Sequence, residues 1–159
     1  MLPRRTAQRA VRAVYHSIIV LAVILVADDG DQSASKVILA VIGATIATAL
    51  AELYAEYIGD VIRERRHPTG PELRIEFADT LAGSLAALVP AIPFVVVLLT
   101  PMKLDAAYAI APWLGLGVIA FFTLLANRFA GLSRWQNAAV TAAALAVGLS
   151  LIAIKAFTH

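Results

Sequence analysis

The chain contains no cysteine, so disulfides, thiolate metal sites and thiol redox chemistry are excluded from the outset. Charge is scarce as well, at 15% of residues. Of two methionines one is the initiator, and the other, Met102, falls in a loop, so no thioether ligand lies inside an apolar segment. A phosphate-binding glycine loop, a nucleophile–base pairing and metal-hydrolase spacing are all missing, and an enzyme is not expected. Nor is there room for a soluble domain, the longest polar stretch being about a dozen residues. What fills the 159 residues is apolar sequence, 60% of the total, with a mean hydropathy of +0.81. That composition is the signature of several membrane spans. A net charge of +2 and a pI near 9.2 would by themselves suggest nucleic acid, but the arginines sit in short segments beside apolar runs. The expected partner is therefore the lipid bilayer, and no nucleic acid.

Five apolar runs, separated by polar or Pro/Gly punctuation, cover residues 12–27, 37–62, 75–99, 107–129 and 136–157 approximately. The expectation is an all-α polytopic protein with five transmembrane helices in a single membrane domain, residues 1–159. The basic-then-apolar start resembles a signal peptide, but Ala27-Asp28 is a weak cleavage site and the segment reads as a retained first span. All ten arginines fall on one side of a five-span layout: Arg4, Arg5, Arg9 and Arg12; Arg63, Arg65, Arg66 and Arg74; Arg128 and Arg134. Lys36, Lys103 and Lys155 fall on the other side, beside Asp28, Asp29, Asp31 and Asp105. The positive-inside rule then puts the N-terminus in the cytoplasm and the C-terminus outside, in the plasma membrane. Pro90 and Pro93 predict a kink or break in the third span; Pro112, Gly115 and Gly117 predict irregular backbone in the fourth. Small residues four apart (Gly43 and Ala47, Gly83 and Ala87, Ala142 and Ala146) suit close helix packing, within a chain or across a dimer. Trp113 and Trp135 read as interfacial anchors, and Asn127 as a cap or packing residue.

Against this background the second span stands out. In ALAELYAEYIGD, Glu52, Glu56 and Asp60 recur every fourth residue and so share one helical stripe. A carboxylate at membrane depth costs a few kcal/mol, about 2.5–3.5 even on permissive scales, and such residues mark ion or proton paths. Glu52 and Glu56 lie deepest; Asp60 lies near the interface, where pairing with Arg63 or Arg66 is the plainer reading. No arginine or lysine of another span is expected at the depth of Glu52 and Glu56. Glu76 and Asp79 open the third span, with Thr80 and Ser84 adding hydroxyls, and His16 lies one turn past Arg12 in the first. His16, Glu52, Glu56 and Asp79 form a candidate metal-ligand set. Glu52, Glu56, Asp60 and Glu76 form a candidate proton or ion path. Imidazole with carboxylates suits Fe(II), Mn(II) or Zn(II), and clustered carboxylates also suit proton transfer. A salt bridge for the glutamates and an interfacial, snorkelling His16 beside Tyr15 are the plain alternatives. Tyr54 and Tyr57 can donate to the glutamates or simply pack.

The order of these features resembles the vacuolar iron transporter family of five-span dimeric exporters. Residues 40–64, AVIGATIATALAELYAEYIGDVIRE, are similar to that family's second span, its Gly-Glu-Tyr element reading here Ala55-Glu56-Tyr57-Ile58. Residues 78–95, ADTLAGSLAALVPAIPFV, are similar to its third span with two spaced prolines, and the tail to its last two spans. The chain departs from the family in three places. The first-span aspartate is absent, with Val14-Tyr15-His16-Ser17 in its region. A methionine one turn before the recurring glutamate is replaced by Glu52. The glutamate-rich cytoplasmic helices shrink to RERRHPTGPELR. The resemblance implies a homodimer that transports a divalent cation of the iron or manganese kind as substrate, with no tightly bound cofactor. Proton coupling is expected from the carboxylates themselves, which in low dielectric must be protonated or metal-paired. The carboxylate at Glu52 shifts preference toward harder cations, such as Mn(II), Mg(II) or protons. Two other readings stay open: a non-transporting scaffold with a vestigial ion site, and a proton or cation channel.

Overall fold

The computed structural model describes residues 2–30 and 32–158. Asp31, one of the acidic residues placed beside the lysines, lies outside them, as do the side chains of Arg4, Arg5 and Asp29. Among the described residues every regular element is helical: α1 Leu2–Asp29, α2 Ala34–Glu64, α3 Gly70–Ala86, α4 Ile92–Leu99, α5 Leu104–Phe129 and α6 Arg134–Thr158. With α3 and α4 counted together, five helical segments are long and apolar enough to cross a membrane, as expected of an integral membrane protein.

The helices begin and end where local chemistry dictates. Thr69 caps α3 reciprocally with Glu72, and Pro71 occupies the first turn, where its missing N–H costs nothing. At Pro90 the third segment breaks: residues after Ala86 pass through a turn and a 3₁₀ helix, Val89–Ala91, before α4 resumes. The kink predicted from Pro90 and Pro93 is thus a full interruption of α-helix. Pro112 behaves differently, since α5 runs through it without a break. The first helix starts about ten residues before the apolar run, because the basic segment at its N-terminus is helical too.

α1 is the most enclosed of the five and α6 the least. Ala10, Ala13, Ser17, Val20, Leu21, Ile24 and Leu25 recur at three- and four-residue spacing, giving α1 a wide buried face against α5 and α3. Toward the end of the bundle that holds the α1–α2 loop, Val20, Ile24, Val37, Val41, Phe94 and Ala107 make the main core, where Phe94 meets Tyr108 edge-on at 4.9 Å. The Tyr108 hydroxyl donates to the carbonyls of Gln32 (2.8 Å) and Ala27 (3.2 Å), closing the α1–α2 turn over α5. Lys155 of α6 pairs with Asp28 of α1 at this same end. The small-residue pairs divide. Gly83 and Ala87 are buried against neighbouring helices, whereas Gly43, Ala47, Ala142 and Ala146 are exposed on the outside of the chain.

Candidate functional site

At the other end of the bundle, α1, α2 and α3 meet around one guanidinium. Arg12 of α1 is buried, its side chain only 9% exposed, which for an arginine demands partners. Its Nε bonds Glu52 at 2.8 Å and Nη2 bonds Glu76 at 2.7 Å, while Nη2 also contacts Glu56. Glu52 and Glu56 reach it because their four-residue spacing stacks them on the α2 stripe facing α1. Glu76 reaches it from the second turn of α3. One turn further along α3, Asp79 is buried and takes Arg9, one turn before Arg12, at 2.5–2.6 Å.

His16, four residues beyond Arg12, continues the same stripe and is 1% exposed. Its Nδ1 donates to the Arg12 carbonyl at 2.9 Å, which assigns the hydrogen to that nitrogen, since a carbonyl only accepts. Nε2 is left facing Glu52 Oε2 at 3.6 Å and Ser84 Oγ at 3.4 Å. Ser84 itself donates to the Thr80 carbonyl. The close approach of α3 depends on Gly83, where a Cβ would stand 2.9 Å from Arg12 Cβ and 3.2 Å from the Ala13 nitrogen.

The candidate residues are therefore gathered on one patch, but in an arrangement the spacing did not foretell. The expectation that no arginine stands at the depth of Glu52 and Glu56 is overturned: Arg12 is there, in contact with both. His16 is a core residue, with Tyr15 edge-on at 5.7 Å and itself exposed. Asp60 does not take Arg66, which is engaged by Glu64 at 2.5 Å and Glu72 at 2.8 Å. Hydrogen bonds to Glu72 and the charge of Glu64 hold the Arg66 guanidinium further above its already high ordinary range. Tyr57 bonds His67 at 3.0 Å and not a glutamate, and Tyr54 faces outward.

Two properties bear on chemistry. Around Arg12 three carboxylates face one guanidinium, a formal excess of two negative charges when all are ionised. Glu52 Oε2, Glu56 Oε2 and Arg12 Nη1 are buried without a hydrogen-bond partner from the protein. Two grooves along α2 reach the cluster: one of about 430 Å³ bordered by Gln8 of α1 and by Glu52, Glu56 and Arg63, and one of about 350 Å³ facing α3 and bordered by Glu56, Tyr57 and Phe77. Asp60 and Glu76 border both. Among the described residues no three His, Asp or Glu side chains converge in metal-holding geometry; the carboxylates turn to Arg12. Comparison with family models, curated proteins and solved structures finds no match to the chain.

Proposed function

We propose that the chain is a membrane carrier for a divalent cation of the Mn(II) or Fe(II) class, exchanging it for protons across the bilayer. The observation that carries the proposal is the unbalanced cluster. Three carboxylates share one guanidinium, and an oxygen each of Glu52 and Glu56 is buried without a hydrogen bond from the protein. Buried oxygens of that kind call for a proton or a cation, and alternation between the two is an exchange cycle. Glu52 and Glu56 are the principal cation or proton holders, Glu76 and Asp60 line the approach, and His16 supplies a nitrogen beside Glu52. Carboxylate and imidazole donors suit Mn(II) and Fe(II). The resemblance to the vacuolar iron transporter family supports the same substrate class and a homodimer, while the one-sided distribution of the arginines supports a cytoplasmic N-terminus in the plasma membrane. The test is Mn(II) uptake into proteoliposomes by the full chain and by Glu52→Gln/Glu56→Gln. Uptake by the wild type that the double variant abolishes is expected; equal uptake by both ends the assignment.

A second reading rests on a different observation. Arg12 and Arg9 give cationic partners to Glu52, Glu56, Glu76 and Asp79, which suits a static lock in a scaffold or subunit. Mn(II) binding without flux, measured by calorimetry and uptake together, favours that reading. Flux without saturable binding favours a channel.

A further inference from the structure

The Arg12 side chain enters the cluster from a helix that carries no carboxylate near it, and it is more completely enclosed than any of its partners. Arg12 is 9% exposed, Glu52 17%, and Glu56 and Glu76 36% each. Its position is fixed from behind. The Arg12 carbonyl accepts His16 Nδ1, and Gly83 lets α3 close directly over the Arg12 Cβ. One of its nitrogens, Nη1, is buried without a partner, so the guanidinium does not use its full hydrogen-bonding capacity in this pose. The centre of the carboxylate set is thus filled by a positive charge that belongs to the chain itself.

We infer that Arg12 is an autoinhibitory counter-cation: its guanidinium occupies the charge position for which a divalent cation competes. This inference rests on the carrier reading, because it regulates that same site. The arrangement described above is the self-occupied state, in which Glu52, Glu56 and Glu76 are turned to Arg12. A cation reaching the cluster past Asp60 and Glu76 takes oxygens from the guanidinium, and Arg12 sets how tightly that cation is held. An arginine cannot lose its charge under any working condition, so competition by displacement is the only way it can yield. Removing Arg12 creates a tighter cation site than the wild type has. A purely structural clasp gives a different result: without it α2 and α3 lose their tie to α1, the carboxylates separate, and Mn(II) is held no more tightly than in the wild type.

The experiment uses the full chain, purified in detergent, with Mn(II) as probe. Free Mn(II) is followed by electron paramagnetic resonance, and thermal unfolding is recorded with and without the ion. Arg12→Gln is the direct variant. Arg12→Gln/Glu76→Gln is the second, because it leaves two carboxylates, Glu52 and Glu56, to match one dication. The expected result is Mn(II) binding at least about tenfold tighter than in the wild type. Mn(II) should raise the unfolding midpoint of the variants by several degrees more than that of the wild type. Millimolar methylguanidinium should weaken Mn(II) binding by the double variant, since it restores the missing group in free form. Mn(II) affinity in both variants no higher than in the wild type, or variants that gain no stability from Mn(II), overturns the inference. The carrier reading fails separately, on absent Mn(II) flux in wild-type proteoliposomes, whatever the binding titrations give.

Discussion

Substituting Gly83 tests the architecture that brings Arg12 to its carboxylates. An alanine Cβ at this position would stand 2.9 Å from Arg12 Cβ, 3.2 Å from the Ala13 nitrogen and 3.4 Å from the Arg12 carbonyl carbon. Ordinary carbon–carbon contact lies at about 3.5–4.0 Å, so α1 and α3 must part by about 0.6–1 Å. The obstructing atoms are backbone and a β-carbon, so no rotamer change relieves the clash. Overpacking of this kind costs about 1–3 kcal/mol, against about 1 kcal/mol gained from replacing glycine by alanine in a helix. Gly117, inside α5 with no neighbouring atom within 4 Å of where a Cβ would stand, isolates the second quantity. Gly117→Ala should therefore stabilise the protein by up to about 1 kcal/mol. Gly83→Ala should fall below it by about 1–3 kcal/mol, the overpacking cost. Equilibrium unfolding of detergent-solubilised protein, followed by circular dichroism, compares the two with the wild type. Two variants of equal stability would refute the claim that α3 packs on the backbone of α1 at Gly83.

Two other expectations concern the opposite end of the bundle. Tyr108→Phe keeps the edge contact with Phe94 but removes the hydroxyl shared by the Gln32 and Ala27 carbonyls, and should cost about 1–2 kcal/mol in the same unfolding assay. Faster hydrogen exchange confined to the α1–α2 turn should accompany it, and unchanged exchange there would count against the bond. For Lys155 and Asp28, a cycle of Lys155→Gln, Asp28→Asn and the double variant should return a coupling of about 1 kcal/mol, reduced by the partial exposure of both groups. Additive effects in that cycle would mean that this pair does not hold α6, which also bonds α5 from Asn137 to Asn127.

The five apolar segments were legible because period, length and loop chemistry agreed, and the break at Pro90 followed from a missing donor. The placement of Arg12 was not, because the positive-inside argument sends every arginine to the headgroups. Yet a signal was present. Arg9, Arg12 and His16 are spaced three and four apart, so the first helix carries a basic stripe as regular as the acidic one on Glu52, Glu56 and Asp60. Glu72, Glu76 and Asp79 make a third stripe of the same kind on α3. Complementary stripes on separate helices imply pairing between them, whereas depth counted from the edges of an apolar run does not. The run itself misled, since α1 begins near Leu2 and Arg12 is several turns inside the helix. Pro112 was misread for a related reason: a helix packed along its length on α1 tolerates one lost backbone bond.

The stripe on α1 finds its charged partners on α2 and α3, all within about the first half of the sequence. During synthesis, then, the first described helix to emerge is the one that finishes in the middle, and its arginines have their full set of partners only when two more helices have followed. Until α3 is in place, Arg9 lacks Asp79 and Arg12 has only Glu52 and Glu56 of α2. Arrival of Glu76 and Asp79 completes both sets and ties α3 to α1. The later helices then wrap a centre already assembled, with α6 latched last through Lys155 to Asp28. Order of emergence and order of burial run together in this chain, so a ribosome paused before α3 would hold a nascent chain in which Arg9 still waits for Asp79 and Arg12 has only the glutamates of α2.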